Sequence, residues 1–138
     1  AIAAEDARFG TPGVTNGLFC STPAVAVSRA ISRKHSMEML LKGELFNAND
    51  AYRFGLINKI VPSEELDATV SELAKSIASR STLTTSMGKD AFYRQLDMDI
   101  EDAYALASDV MARNMMEHDA QEGIDAFLQK RNPEWRGR

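Results

Sequence analysis

Residues 38–62 read EMLLKGELFNANDAYRFGLINKIVP, and the order of signals in this stretch decides the fold class. Gly43 follows an apolar helical run and suits the left-handed residue that ends an α-helix. Asn47 stands where the next helix needs an N-cap, Asp50 falls in its first turn, and Gly55 closes it. "LINKIV" (56–61) then reads as a strand that Pro62 stops. A helix, a short capped helix and a strand in this order mark a mixed α/β chain.

Toward the N-terminus, "AIAAEDARFG" (1–10) reads as the end of a buried strand, a turn and a short extended piece. "RFGTPGVTNGLFCSTPAVAVSRAI" (8–31) places Gly10, Gly13, Gly17 and Cys20 in a loop ahead of an apolar run, with no Asp, Glu or His inside it. Ala24, Val25, Val27 and Ala30 have near-helical spacing, so a helix is expected over Thr22–Ile31, capped by Ser21 or Thr22 with Pro23 in its first turn. "RKHSMEMLLKG" (33–43) predicts a helix whose apolar face is Met37, Leu40 and Leu41.

Beyond Pro62 only helices are expected. Leu66, Val70, Leu73 and Ile77 form one helix face within Glu64–Arg80. Leu83, Met87 and Ala91 mark a second helix over Leu83–Leu96. Asp99 caps a third, with Ile100, Tyr104, Ala107, Met111 and Met115 on its face. Asp119 and Glu122 have capping-box spacing for a fourth, with Ile124, Phe127 and Leu128 inside it and Asn132-Pro133 as its stop. The composition shift near Pro62 divides the chain into a mixed 1–62 part and a helical 63–138 part. So much apolar helix face needs a surface to pack on, part of it supplied by another subunit.

The 138 residues carry a formal net charge of −4, with 44% hydrophobic and 26% charged residues. That is ordinary for a globular domain, and it disfavours nucleic acid or an anionic membrane as partner. No apolar run approaches the roughly 20 residues of a membrane span. The single Cys forms no internal disulfide framework and fits a reducing compartment. The chain starts at Ala1 without an initiator Met, so an earlier portion is expected to be missing.

Residue chemistry alone discloses no reaction. Cys20 near a helix start has dipole support for a thiolate but no His close in sequence, and its ordinary role is a packed small hydrophobe. His35 and His118 lack metal-ligand spacing and read as solvated helix residues. The loop has neither G-x-G-x-x-G nor G-x-x-x-x-G-K-[ST]. Glu64-Glu65, Glu101-Asp102 and Glu117-His118-Asp119 are accounted for by capping and solvation.

Three blocks in order go further. "A-x-F-G-x-P" (7–12) precedes the glycine-containing loop. The 38–62 block resembles "M-x-L-T-G-x-x-I-x-A-x-E-A-x-x-x-G-L-V-x-x-V-V-P". "QEGIDAFLQKRNPEW" (121–135) resembles "E-G-x-x-A-F-x-x-K-R-x-P-x-F". Together they resemble the second half of the enoyl-CoA hydratase/isomerase (crotonase) family. The loop is most similar to a subgroup of enoyl-CoA hydratase domain-containing proteins and to bacterial enoyl-CoA hydratases like it.

The resemblance implies an α/β fold, the second half of a spiral of ββα turns followed by a C-terminal helical trimerisation region. Implied partners are an acyl-CoA thioester and copies of the chain, as a homotrimer or dimer of trimers, with no separate cofactor because CoA belongs to the substrate. The compartment would be cytoplasmic in a bacterium and the mitochondrial matrix in a eukaryote. In the family, two backbone N–H groups hold the thioester oxygen against developing enolate charge. One of them, with one of two hydratase glutamates, belongs to the N-terminal half, so this chain is expected to hold no complete site.

The second glutamate follows the proline of "F-G-x-P-E", and Gly13 stands there. Pro12, Gly13 and Asn16 match pocket-lining positions; Gly13 also suits a plain turn residue with φ > 0. Restoring a carboxylate with Gly13→Glu would raise hydration at least about tenfold if the loop accepts a side chain. Phe127 and Lys130 match residues that reach CoA on a neighbouring subunit. Their bland readings are a core aromatic and, with Arg131, a helix-terminal cation. Lys130 is read as sharing a helix face with Phe127. The implied function is enoyl-CoA hydratase-like, in fatty acid metabolism; an isomerase using one upstream carboxylate and a non-catalytic acyl-CoA-binding or oligomerisation subunit are the alternatives.

Overall fold

The computed structural model describes all residues from Ala1 to Arg138, in two compact units, Ala1–Leu73 and Ala74–Arg138. In the first unit, strand β1 (Ile2–Ala4) pairs in parallel with β4 (Lys59–Val61), Ala3 opposite Ile60. Strand β2 (Arg8–Phe9) pairs antiparallel with β3 (Phe46–Asn47), Phe9 opposite Phe46. A 3₁₀ turn (Pro12–Asn16) and helices α1 (Ser21–Ala30) and α2 (Arg33–Lys42) lie between β2 and β3, and α3 (Ala48–Phe54) lies between β3 and β4.

The expected punctuation of this unit is present. Asn47 caps α3 by accepting the Asp50 N–H at 2.9 Å, and Gly43 and Gly55 end α2 and α3 in the left-handed region. The core forms two clusters. Ala3, Ala48, Ala51 and Ile57 form one; Ile31, Met39, Phe46 and Phe54 form the other. Ala48 and Ala51 have no accessible surface, because α3 lies against β2, β3 and β4 with this side turned to Ala3 and Ile57.

Several local expectations are corrected. Helix α1 starts one residue earlier, at Ser21, with Cys20 in the cap position and no side-chain capping bond. The buried face of α2 is Ser36, Met39 and Leu40, while Met37 and Leu41 are exposed. The neighbour on that side is Phe54, and Phe46 meets its edge at 5.3 Å. Strand β4 takes only the last half of "LINKIV", since β1 offers three residues to pair with. His35 is not simply solvated: its ring stacks on Phe54, centroids 4.1 Å apart.

Helix α4 (Leu66–Ala78) follows a 3₁₀ turn at Ser63–Glu65 and spans the division between the units. The second unit holds α5 (Thr82–Gln95), α6 (Ile100–Met116) and α7 (His118–Gln129), packed on one another, and a C-terminal tail without regular structure. Asp99 caps α6 through the Asp102 N–H at 3.0 Å. The buried residues of this unit are Ser81, Ala103, Asp119 and Ala126, with no large apolar side chain among them. The periodic faces read from the sequence are therefore largely uncovered: Ile100, Tyr104, Met111 and Leu128 are exposed. No helix is long and apolar enough to cross a membrane.

Candidate functional site

The candidate residues fall into one set in each unit. Pro12, Gly13 and Asn16 sit together in the 3₁₀ turn of the glycine loop. Thr11 anchors this turn by donating its buried hydroxyl to the Met39 carbonyl at 3.2 Å. The turn then closes on itself. The Leu18 N–H donates to the Gly13 carbonyl at 3.0 Å, the Gly13 N–H to the Cys20 sulfur at 3.3 Å, and the Thr15 hydroxyl to the Pro12 carbonyl at 2.7 Å. Leu18 projects from its end, exposed.

Gly13 is not the φ > 0 turn residue that was one reading of it; Gly17, at φ 74, takes that part. Gly13 is glycine because there is no room. A β-carbon there would overlap the carbonyl oxygen of Leu18 and stand 2.7 Å from the Cys20 sulfur. The condition attached to Gly13→Glu, a loop that accepts a side chain, is not met in this conformation.

The second set is organised by two carboxylates that the capping-box reading misassigned. Helix α7 starts at His118, and its N-cap is Glu117, whose side chain makes no capping bond. Asp119 therefore lies inside the first turn, 1% exposed, and its carboxylate turns away from the helix start. It accepts the Ser81 hydroxyl at 2.6 Å and the Arg136 and Gly137 N–H groups at 2.8 and 2.9 Å. His118 Nδ1 lies 3.4 Å from it. The Ser81 hydroxyl, the two backbone donors and His118 hold the Asp119 carboxyl down at about 2, against desolvation that works to raise it.

Glu122 grips Arg131 with both oxygens, at 2.6 and 2.8 Å, and also accepts the Glu134 N–H at 2.8 Å. The Arg131 fork, then the Glu134 N–H, bring its carboxyl to about 2. Gly123 completes the clasp: a β-carbon there would stand 3.2 Å from the Trp135 ring, whose indole N–H donates to the Ser79 carbonyl at 3.0 Å. Thus Glu122 and Gly123 of the "E-G" pair hold, respectively, the arginine and the tryptophan of the tail. Sequence reading missed this partnership. The available signal was a carboxylate about two helical turns before a Lys-Arg pair and an Asn-Pro stop.

The carboxyl end of α7 carries the two remaining candidates. Phe127 is 82% exposed, so its core reading is overturned. It borders a mostly apolar cavity of about 400 Å³ among α5, α6 and α7, walled also by Thr84, Asn114, Ile124, Leu128 and Trp135. Lys130 does not continue the helix face. It takes φ 55, ψ 40 and is the one non-glycine residue with positive φ, so its side chain leaves from a left-handed turn. No group of three or more His, Cys, Asp or Glu side chains converges in a way that would hold a metal ion.

A family model described as enoyl-CoA hydratase/isomerase matches residues 1–138. The rat protein named "Enoyl-CoA hydratase domain-containing protein 3, mitochondrial" is 51% identical over 135 residues, covering 98% of this chain and 45% of that protein. The crystal structure of an enoyl-CoA hydratase from Mycobacterium smegmatis superposes with a TM-score of 0.93 at 48% identity, covering 97% of this chain and 52% of its own. That of human enoyl coenzyme A hydratase domain-containing protein 3 gives 0.92 at 48% identity, covering 97% and 53%. The chain spans about half the length of these relatives. Small paired strands followed by packed helices match the later half of their fold, and the chain belongs to the enoyl-CoA hydratase/isomerase (crotonase) family as its C-terminal portion.

Proposed function

We propose that the complete protein is an acyl-CoA-binding enzyme of the enoyl-CoA hydratase type. Its glycine loop walls the acyl pocket through Pro12, Gly13 and Asn16, and Phe127 and Lys130 contact CoA. The observation that carries the CoA contact is Phe127: a large aromatic 82% exposed beside a lysine in a left-handed turn serves no core. An exposed ring suits stacking on a flat heterocycle, and an ammonium suits phosphate. The names of relatives support the substrate class.

Lys130→Ala is expected to weaken acyl-CoA binding about tenfold, the low end for a hydrogen bond to a charged group. Added salt shrinks the difference, and pantetheine thioesters bind both proteins alike. Lys130→Gly gives the same loss while raising thermal stability, because glycine adopts this φ without cost. Unchanged CoA affinity at low salt would leave Lys130 a helix-terminal cation only.

One observation favours a second chemistry. The loop holds no carboxylate and Gly13 has no space for one. Double-bond isomerisation, which shuttles one proton on one upstream carboxylate, fits this better than two-carboxylate hydration. Assaying the complete protein with crotonyl-CoA and with a 3-enoyl-CoA separates the two, and activity on neither points to a binding subunit.

Residues 63–138 are proposed as the oligomerisation region, in a homotrimer or dimer of trimers. The support is the uncovered helix surface, with Ile100, Tyr104, Met111 and Met116 all exposed. Expressed by itself, the 138-residue chain is expected to associate at micromolar concentration. Sedimentation as a compact monomer would count against that assignment.

A further inference from the structure

We infer that Glu122 is a positioning residue for Lys130: its carboxylate, gripping Arg131, holds the end of α7 in the left-handed turn from which Lys130 departs. The inference rests on the reading of Lys130 as a CoA contact. A residue with a β-carbon is disfavoured at φ 55, and helices normally place glycine there. The hydrogen bonds of this stop are in place: the Lys130 N–H donates to the Phe127 carbonyl at 3.2 Å and the Arg131 N–H to the Ala126 carbonyl at 3.0 Å. They define the turn without explaining why a lysine is kept in it.

The explanation lies on the next residue. Arg131 is held on both prongs by Glu122, on its Nε by the Gln129 side chain at 2.8 Å, and Glu122 also takes the Glu134 N–H. The Glu122 side chain is 15% exposed, so this pair is partly shielded, unlike an open surface pair. It ties the residue after Lys130 to α7 two turns back. Without it, position 130 relaxes toward the ordinary helical or extended region, and the ammonium leaves the helix in another direction. A single non-glycine residue held in the left-handed region by its neighbours has a backbone direction, and so a side-chain departure, fixed by those neighbours.

A double-mutant cycle in the complete protein tests this, with butyryl-CoA and butyryl-pantetheine as probes. Glu122→Gln keeps an acceptor for the Glu134 N–H and removes the charge. It is expected to weaken butyryl-CoA binding roughly five- to tenfold, leave butyryl-pantetheine unchanged, and speed tryptic cleavage between Arg131 and Asn132. Combined with Lys130→Ala, it should cost nothing beyond the single lysine change, since both remove one contact. Arg131→Lys, which keeps the charge and loses the fork, should act in the same direction, and it replaces Glu122→Gln if that variant does not fold. Faster cleavage with unchanged CoA affinity, or losses that multiply in the double variant, overturns the positioning role while the Lys130 contact stands. A neutral Lys130→Ala overturns the contact itself, and the inference falls with it.

Discussion

Gly13→Ala is expected to destabilise the protein by about 1–3 kcal/mol, the usual cost of forcing a methyl group into filled space, or more if the backbone cannot yield. The tighter overlap is with the Leu18 carbonyl oxygen, a backbone atom that no side-chain rotation can move aside, and the Cys20 sulfur crowds the same space. The Gly13 N–H to Cys20 and Leu18 N–H to Gly13 bonds would be lost together. Gly88 in α5 is the control. With nothing within 4 Å of its β-carbon position, Gly88→Ala should stabilise by about 0.5–1 kcal/mol. Urea denaturation of the complete protein measures both. Gly13→Glu is then expected to lower yield and leave crotonyl-CoA hydration no faster, the reverse of what the motif comparison alone implies. A gain in hydration would show that the loop opens to admit the carboxylate.

Asp119→Asn is expected to raise the undocked population of the C-terminal tail about 10–100-fold, the range for losing hydrogen bonds to an ionised acceptor. Asparagine turns an NH₂ toward one of three donors: the Ser81 hydroxyl or the Arg136 or Gly137 N–H. Trypsin cleavage within residues 131–138, followed by mass spectrometry, reads this directly. Unchanged cleavage would mean that Trp135 and the Glu122–Arg131 pair suffice to hold the tail.

The same carboxylate sets an acid limit. Its folded value of about 2 lies below the ordinary 3.8, so its stabilising contribution is present above about 3.8 and is lost as pH falls toward 2. Glu122, lowered from 4.5 to about 2, titrates in the same window and in the same sense. Tail release followed by hydrogen exchange should therefore rise between about pH 4.5 and 2. In Asp119→Asn only the Glu122 part of that rise should remain.

Short-range chemistry was legible from residue spacing alone. Asn47 with the Asp50 N–H, Asp99 with the Asp102 N–H, and Gly43 and Gly55 as helix stops involve atoms a few residues apart. Such bonds form wherever the helix forms, so spacing suffices to read them. The order of those elements, with the 38–62 and 121–135 blocks, was likewise enough for the family and the α/β class. Spacing failed where one pattern serves two geometries. Asp119 and Glu122 stand three apart whether they cap a helix or lie inside it, and only the approach of Ser81 and the returning tail decides. Phe127 at an apolar helical position looks like core until the surface that would cover it proves absent from this unit. Gly13 looks like a vacant carboxylate position until the Leu18 carbonyl and the Cys20 sulfur occupy the space. For Asp119 the deciding atoms come from residues 81, 136 and 137; for Gly13 they come from the way its own loop folds back; for Phe127 it is packing that this unit does not supply.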